Sequence, residues 1–213
     1  MKSRITIPCK CGKRILLEVI GSEWPDHAEC VDCGATIHTP EPLGNIVSML
    51  LMERAKQELV HRDIMICMLL SAVAVEGEMA YLFFKWKAID GKKSPAEQTP
   101  EVREPWENEW ANMRSIGKRL DELSRLLTGK PFDEFACLNK KLLKPALTGY
   151  NPGTSVKDFL QEQFFERRND IVHYGKIDFQ EEDGEQSLSL GTALLSLFHA
   201  MDVKRYDLTF PKN

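Results

Sequence analysis

Apolar residues recur at helical spacing through most of the chain, which predicts a largely α-helical protein. No proline interrupts this pattern in residues 45–90, so we expect one long helix there, or two collinear helices with a break near 61–63. Residues 91–104 are polar and contain two prolines, which predicts a loop. A further helix is expected at 105–127, because the apolar stripe ends there and Gly129 can close the helix.

Three more helices are predicted in the last third of the chain, at about residues 133–143, 154–174 and 187–206. A short acidic stretch at 180–186 is expected to form the turn between the last two helices. Four or five helices joined by short connections are typical of an α-helical bundle. The fold predicted for this part of the chain is therefore a four- or five-helix bundle.

The first 38 residues differ from the rest in composition. They contain four of the six cysteines, short runs with β-strand character and several turn residues. Pro40 and Pro42 follow, and two prolines so close together form a stiff connector that neither a helix nor a sheet crosses easily. We therefore expect two domains: a small β ribbon at residues 1–42 and a mostly α-helical domain at 43–213.

The overall charge argues against one class of protein. The chain carries 28 Lys and Arg residues against 32 Asp and Glu residues, which gives a net charge of −4. Proteins whose main affinity is for duplex nucleic acid need a surplus of basic residues, so this class is not expected. A local basic cleft, or brief contact with an RNA substrate, is compatible with this composition.

No stretch of the sequence has the pattern of a membrane span or a signal peptide. The longest apolar stretch, residues 64–75, is interrupted by Ser71 and is shorter than the roughly 20 residues that cross a bilayer. The N-terminus lacks the long apolar segment and the small-residue cleavage site of a signal peptide. We therefore expect a cytoplasmic protein, with no membrane partner, whose thiols stay reduced.

Four cysteines have the spacing of a metal site. Cys9 and Cys11 form a C-x-C pair, and after 18 further residues Cys30 and Cys33 form a C-x-x-C pair; a glycine directly follows each pair. Thiolates this close can face one ion when the backbone wraps around it, and four sulfurs at about 2.3 Å satisfy tetrahedral Zn²⁺ without leaving a position for substrate. We therefore predict a structural zinc ion. Two disulfides, or four unrelated thiols, are the alternatives.

The same segment resembles the small bacterial zinc ribbons that begin with a Cys-x-Cys-Gly-Lys/Arg turn and close with Cys-x-x-Cys-Gly before a proline. The matching residues are Cys9, Cys11, Gly12, Lys13, Cys30, Cys33, Gly34 and Pro40. The resemblance covers about residues 5–42 and implies a module that docks a partner or touches nucleic acid. His27 and His38 are alternative ligands, but with four cysteines present we interpret them as surface histidines. Cys67 and Cys137, outside this segment, are predicted to be small core residues.

The other informative segment is F-F-E-R-R-N-D-I-V-H-Y-G at residues 164–175, at the end of a predicted helix. Asn169 and His173 are four residues apart and share one helical face, whereas Arg168, five residues before His173, points about 140° away on an ideal helix. To act on one target, the Arg side chain must swing across, the helix must distort, or a second copy of the chain must complete the site. The alternative is a solvated charged face on which His173 caps the helix dipole.

Residues 168–173 (R-N-D-I-V-H) resemble the R-N-x-x-x-H signature of HEPN domains, the α-helical higher eukaryotes and prokaryotes nucleotide-binding superfamily. The position of this run, late in the penultimate predicted helix, fits that family. Residues 70–79 look like the family's first long helix, in which an acidic residue faces the site. Here that residue is Glu76, which can polarise the site or form a salt bridge with Arg167 or Arg168.

This resemblance, which covers about residues 45–208, implies a metal-independent endoribonuclease of the kind found in toxin–antitoxin, abortive-infection and other anti-phage systems. It implies a homodimer in which the two motifs meet at the interface, RNA as the substrate, and an antitoxin or defence protein as a partner. It also implies three residue roles. His173 assists attack by the ribose 2′-OH or protonates the leaving oxygen, Arg168 stabilises the phosphorane charge, and Asn169 orients His173 or binds phosphate.

Two other functions fit the sequence. In the first, the protein is a non-catalytic dimeric adaptor whose ribbon docks a partner and whose bundle is a platform. In the second, it is a zinc-ribbon nucleic-acid binder in which Lys13 and Arg14 carry the binding and the R-N-x-x-x-H match is accidental. The nuclease requires His173, the adaptor requires the ribbon cysteines, and the nucleic-acid binder requires Lys13 and Arg14, so substitutions separate the three hypotheses.

Overall fold

The protein is mostly helical, so the mostly α class predicted from the sequence is confirmed. The computed structural model describes residues 2–8, 11, 13–20, 27–38, 45–93 and 97–209. Four short strands come first in the chain, and every described element after residue 45 is a helix of α, 3₁₀ or π type.

The four strands form two separate antiparallel pairs. Their bounds are Lys2–Pro8 for β1, Arg14–Ile20 for β2, His27–Glu29 for β3 and Thr36–His38 for β4. In the β1–β2 pair Ile5 lies opposite Leu17, and in the β3–β4 pair Ala28 lies opposite Ile37. The C-x-x-C pair at residues 30–33 lies in the turn between β3 and β4, so the hairpin fixes where these two cysteines are presented.

The helical part contains two long helices and a series of shorter ones. The helices are α1 (Ile46–Val60), α2 (Ile64–Asp90), α3 (Pro100–Asn112), α4 (Ile116–Thr128), α5 (Phe132–Leu138), α6 (Lys140–Leu143), α7 (Val156–Leu160), α8 (Arg167–Tyr174) and α9 (Glu181–Thr209). A 3₁₀ turn at Lys144–Ala146 follows α6, and a π-helical segment at Gln161–Glu166 joins α7 to α8. The long helices α2 and α9 pack against each other in the centre of the bundle.

Helices α1 and α2 form an antiparallel hairpin. The predicted break at residues 61–63 is confirmed, but the chain turns back there, so the prediction of collinear helices is wrong. Arg62 adopts the left-handed conformation (φ 62°), which lets the chain reverse direction. At the other end of the hairpin the Asn45 amide donates to a Glu78 carboxylate oxygen at 2.9 Å, which places the start of α1 beside the middle of α2. Burial raises the pKa of Glu78 above its ordinary value, although hydrogen bonds from Asn45 and Ser48 act in the opposite direction.

Helix α2 is apolar around most of its circumference. It packs against α1, α4 and α9, and Met79, Phe83 and Trp86 are almost completely buried, as expected for the central helix of a bundle. Unlike the shorter stretch 64–75, α2 as a whole is long and apolar enough to cross a membrane by length and composition. It is the one such helix in the described residues, and 56% of its apolar window is buried within the protein.

The helix predicted at 105–127 is two helices. α3 begins at Pro100, inside the predicted loop, because a proline at the first helical position costs the helix no hydrogen bond. α4 begins after Ser115, whose hydroxyl accepts a hydrogen bond from the Lys118 amide at 3.3 Å. Gly129 ends α4 in the left-handed conformation (φ 73°), as predicted.

Two further predictions differ from the structure. The helix expected at 133–143 is divided into α5 and α6 at Asn139, whose side-chain amide bonds back to the Phe135 carbonyl oxygen at 2.9 Å. The acidic stretch at 180–186, expected to form a turn, belongs to the start of α9. Acidic side chains in the first turn interact favourably with the helix dipole, so the E-E-D run at 181–183 begins the helix instead of separating two helices.

The core fills the space between α2, α4, α5, α7, the π-helical segment and α9. Its largest fully buried side chains include Phe83, Trp86, Leu120, Leu123, Leu127, Phe132, Phe164 and Phe198. Because α8 continues directly from the buried π-helical segment, packing of this core sets the position of the residues in α8.

Candidate functional site

The R-N-x-x-x-H motif lies in one continuous helix formed by α7, the π-helical segment and α8, in agreement with the helix predicted at 154–174. The Ser155 hydroxyl caps the start of this helix by accepting a hydrogen bond from the Asp158 amide at 2.9 Å. Gly175 ends it with a left-handed φ of 62°, where a residue with a side chain would be strained. Both ends of the motif helix are therefore fixed by local sequence.

The π-helical segment, Gln161–Glu166, immediately precedes the motif. Two consecutive aromatic residues in it, Phe164 and Phe165, are both buried, and their ring centroids lie 4.9 Å apart in an edge-to-face arrangement. Turns of π type are frequent at functional sites. The helix regains α geometry before Arg168, so this distortion does not turn Arg168 toward His173.

Arg168 is half-buried and is held by two neighbours. Its Nη1 donates to Oδ1 of Asn169 at 2.8 Å, and its Nε lies 3.7 Å from Oε1 of Glu76 on α2. A salt bridge between Glu76 and Arg168, one of the two roles expected for Glu76, is therefore present. The Nε atom is buried and makes no hydrogen bond within the described residues.

Arg167 joins α8 to the start of α9. Its Nη1 pairs with Oδ1 of Asp183, and its Nη2 donates to Oε1 of Gln163 at 2.9 Å. The other oxygen of Asp183 accepts a hydrogen bond from the Gln180 amide at 2.9 Å. The pairing of Arg167 with Asp183 was not predicted from the sequence, because the segment that contains Asp183 was assigned to a turn. The acidic run 16 residues after Arg167 was the one signal for this contact.

His173 is exposed near the C-terminal end of α8. Asn169 lies one turn before it, as predicted. The Oδ1 atom of Asn169, however, accepts a hydrogen bond from Arg168. In the part of the chain that the structure describes, the His173 side chain makes no hydrogen bond. The fold thus brings Arg168, Asn169 and Glu76 together and leaves the imidazole of His173, one turn after Asn169, open to solvent.

Both arginines of the motif region are matched by carboxylates. Arg167 pairs with Asp183, and Arg168 lies against Glu76. Charges paired in this way largely neutralise each other, so a phosphate that approaches α8 meets little net positive charge from the described side chains. The motif supplies an exposed imidazole and an oriented guanidinium but little long-range attraction for a polyanion.

Three cysteines of the N-terminal segment lie close together. The Sγ atoms of Cys11, Cys30 and Cys33 are all within 4.8 Å of one another, and they can hold a metal ion. Gly34, with φ of 67°, turns the backbone around this cluster, and its amide donates to the Cys30 carbonyl oxygen at 2.8 Å. Cys9, the fourth predicted ligand, lies outside the described residues.

The separation of two of these sulfurs fits a zinc site. Tetrahedral Zn²⁺ with bonds of about 2.3 Å places its sulfur ligands about 3.8 Å apart. The Sγ atoms of Cys11 and Cys30 are 3.8 Å apart, much farther than the roughly 2.05 Å of a disulfide bond. The geometry of this pair therefore favours metal ligation over the disulfide alternative. The side chains of His27 and His38 lie outside the description.

The two cysteines of the bundle differ from each other. Cys67 is fully buried in α2, as predicted, with its Sγ 3.7 Å from the Gly184 carbonyl oxygen on α9, and burial raises the pKa of this thiol to about 11. Cys137 is exposed on α5, so its prediction as a core residue is wrong. The short helix α5 buries its Phe135 and Ala136 side instead.

A strip of α2 beside Glu76 is apolar and exposed. Ile66, Val73 and Tyr81 are 38%, 44% and 40% exposed, and their spacing of seven and eight residues places them along one side of the helix. Val172 on α8, 52% exposed, lies one turn after Arg168. Exposed apolar surfaces of this kind are typical of contacts with another protein.

The chain matches no protein-family model, and no curated protein or solved structure is significantly similar to it. The arguments for function therefore come from the two motifs and from the geometry of the residues around them.

Proposed function

We propose that this protein is a metal-independent endoribonuclease of the HEPN type, active as a homodimer, with an N-terminal zinc ribbon as a separate module. The observation that supports this proposal most is the exposure of His173 together with the fixed orientation of Arg168. His173 is exposed at the end of α8, while Arg168 is oriented by Asn169 and by Glu76 from α2. An exposed imidazole beside an oriented guanidinium is the arrangement that acid–base cleavage of a phosphodiester requires.

The proposed reaction is cleavage of RNA by general acid–base catalysis. The imidazole of His173 removes the proton of a ribose 2′-OH, the 2′-oxygen bonds to the adjacent phosphorus, and the bond from phosphorus to the 5′-oxygen of the next nucleotide breaks. The products are a 2′,3′-cyclic phosphate and a 5′-hydroxyl, whose oxygen takes its proton from a second acid. Arg168 stabilises the added negative charge of the phosphorane, and Asn169 holds Arg168 in place.

A second copy of the chain supplies the second acid in this proposal. One chain offers a single histidine at the motif, whereas a two-fold axis next to α8 brings two copies of His173 and Arg168 together. The exposed apolar strip of α2, formed by Ile66, Val73 and Tyr81, borders Glu76 and is the surface that such a dimer would bury. Dimerisation also removes the difficulty that Arg168 and His173 point in different directions on one helix.

The N-terminal segment is proposed to be a structural zinc ribbon in which Cys9 joins Cys11, Cys30 and Cys33. Four thiolates complete the coordination of Zn²⁺, so the ion holds the fold together and does not take part in RNA cleavage. This ribbon is the part of the chain proposed to dock a partner, such as an antitoxin or another defence protein, in the cytoplasm.

The proposal is tested by incubating total RNA with purified protein in EDTA, after zinc content and dimer formation have been measured. We expect the wild type to cleave RNA and His173→Ala to be inactive, although it remains a folded dimer. His61→Ala is the matched control, because His61 is also exposed at the end of a helix but lies outside the motif. We expect this control to cleave like the wild type.

Two results contradict the proposal. Cleavage by His173→Ala at the wild-type rate removes the motif from the chemistry. No cleavage by a dimeric, zinc-loaded wild type favours the non-catalytic adaptor, whose partner binding is then expected to be lost on substitution of Cys30 or Cys33.

A further inference from the structure

The two arginines at the motif are paired with carboxylates within the protein, so tight binding of an RNA strand calls for positive charge from a further surface. The side chains of Arg167 and Arg168 both lie against carboxylates, and the whole chain is acidic, with a net charge of −4. Affinity for a nucleic acid strand depends mainly on lysines and arginines that contact phosphates. Cations without carboxylate partners are therefore the groups to consider.

Three such cations lie on α6 and the 3₁₀ turn that follows it. Lys140, Lys141 and Lys144 are all exposed, and none forms a salt bridge with a carboxylate in the described residues. Leu143 and Ala146 are buried on the inner side of this segment and anchor it to the core. The three ammonium groups are thereby presented together to solvent on a short, packed element.

Lys204 on α9 adds a fourth ammonium group at the same place. Its Nζ lies 5.5 Å from the ring centroid of Phe135 on α5. The Phe135 carbonyl oxygen accepts a hydrogen bond from Asn139, the residue directly before Lys140. Since α9 also packs against α6 and the 3₁₀ turn, Lys204 lies on the helix that packs against the segment carrying the three lysines.

A shallow groove runs along the outer face of α9 next to Lys204. It is lined by His199, Ala200, Val203, Lys204, Asp207 and Leu208. Asp207 is the one carboxylate among these lining residues, while Val203 and Leu208 are 44% and 64% exposed. A groove with apolar walls and a basic edge suits a flexible strand, whose bases and riboses contact the apolar side chains while its phosphates face the lysines.

We propose that Lys140, Lys141, Lys144 and Lys204 form a binding surface for the phosphodiester backbone of single-stranded RNA, separate from the R-N-x-x-x-H motif. The choice of RNA rests on the proposed function, which requires an RNA substrate while both arginines of α8 are paired with carboxylates. Lysines are mobile point charges, so this surface holds the strand without selecting its sequence.

The test measures binding of a short, fluorescent, unstructured RNA by anisotropy over a series of salt concentrations. The full chain carries His173→Ala throughout, so that no RNA is cut. Lys140→Gln combined with Lys144→Gln is expected to bind about tenfold more weakly and to lower the slope of log affinity against log salt by about 1.4, because each phosphate contact on a single strand contributes about 0.7.

The matched control is Lys92→Gln combined with Lys93→Gln, which removes the same charge from two exposed lysines in the turn after α2. We expect this control to bind RNA like the parent protein. Equal affinities for the two double variants overturn the proposed surface. The proposal is also overturned if the Lys140→Gln and Lys144→Gln variant binds RNA like the parent protein but loses binding to anionic phosphatidylserine vesicles. That result would identify a membrane-binding surface instead.

The binding test is independent of the cleavage test. If RNA binding depends on Lys140 and Lys144 but the wild type does not cleave, the binding surface stands and the nuclease proposal fails. If the wild type cleaves but the two double variants bind equally well, the nuclease proposal stands and the lysine surface is overturned.

Discussion

We expect the N-terminal strands and the helical bundle to be stabilised in different ways. Among the residues before 45 whose burial the structure describes, Ile15, Ala28 and Cys30 are buried. The bundle buries a continuous set of large side chains from six helices. A ribbon of this length is too small to build a large apolar core, so we expect its fold to depend on metal ligation by the cysteine cluster, whereas the bundle does not need a metal. Loss of metal should therefore unfold one region and leave the other folded.

The largest expected effect follows from Cys30→Ser. Cys30 is the buried member of the cysteine cluster, so this change is expected to abolish metal binding and the fold of the strands while the helical circular dichroism persists. Zinc content and hydrogen exchange, measured on the same sample, check both parts of this prediction. Cys137→Ser, at an exposed cysteine in the bundle, should change neither. Cooperative loss of both regions in Cys30→Ser would show that they are not stabilised separately.

A smaller effect, in the opposite region, is expected from Leu123→Ala. Leu123 is completely buried on α4, so its truncation should lower the free energy of unfolding of the bundle by about 2–5 kcal/mol and leave zinc content unchanged. Urea unfolding followed by circular dichroism measures this loss. Leu138→Ala is the control, because Leu138 is 67% exposed, and its effect should be small. A loss of zinc in Leu123→Ala would contradict the separation of the two regions.

The smallest effect concerns acid. Oδ2 of Asp121 on α4 accepts from Nζ of Lys157 at 2.6 Å, and Oδ1 accepts from the Phe132 amide at 3.1 Å. Burial acts to raise the pKa of Asp121, but these hydrogen bonds and the charge of Lys157 outweigh burial, so the pKa is lowered. Its contribution to stability is therefore complete above the ordinary aspartate pKa of about 3.9 and is lost as pH falls through the lower folded value.

Thiolates that bind a metal take up protons at higher pH than this carboxylate does, so acidification should release zinc before it weakens the bundle. Asp121→Asn should cost about 1–2 kcal/mol at neutral pH and flatten the acid dependence of bundle unfolding, measured by urea titrations at several pH values. Asp178→Asn, at an exposed aspartate, is the control. An unchanged acid dependence in Asp121→Asn would show that other carboxylates dominate.

The sequence predicted helices well where periodicity and end signals agreed. The motif helix begins after Ser155 and ends at Gly175, and α4 ends at Gly129, as the capping residues indicated. Periodicity does not report the direction of a chain, so the reversal at Arg62 was missed. It also does not separate an acidic turn from an acidic helix start, which is why the beginning of α9 was misplaced.

The candidate site was predictable as a list of residues but not as a set of contacts. The pairing of Arg168 with Glu76 depends on how α2 packs against α8, 92 positions apart in the chain. The lysine surface was not predicted, because Lys204 meets the α6 segment only through packing of α9. The spacing of residues within one helix is enough to predict a candidate active site. The balance of charges around that site can be known only from the tertiary fold.

The π-helical segment limits how the length of this chain can change during evolution. This segment contains one residue more than an α-helix of the same length. Each residue added to an α-helix rotates the following residues by about 100° around the helix axis. Since Phe164 and Phe165 anchor one side in the core, deletion of one residue in 161–166 would rotate α8 and carry Arg168 away from Glu76. Relatives of this protein should therefore vary in loop length but keep a constant number of residues between the helix cap and the motif.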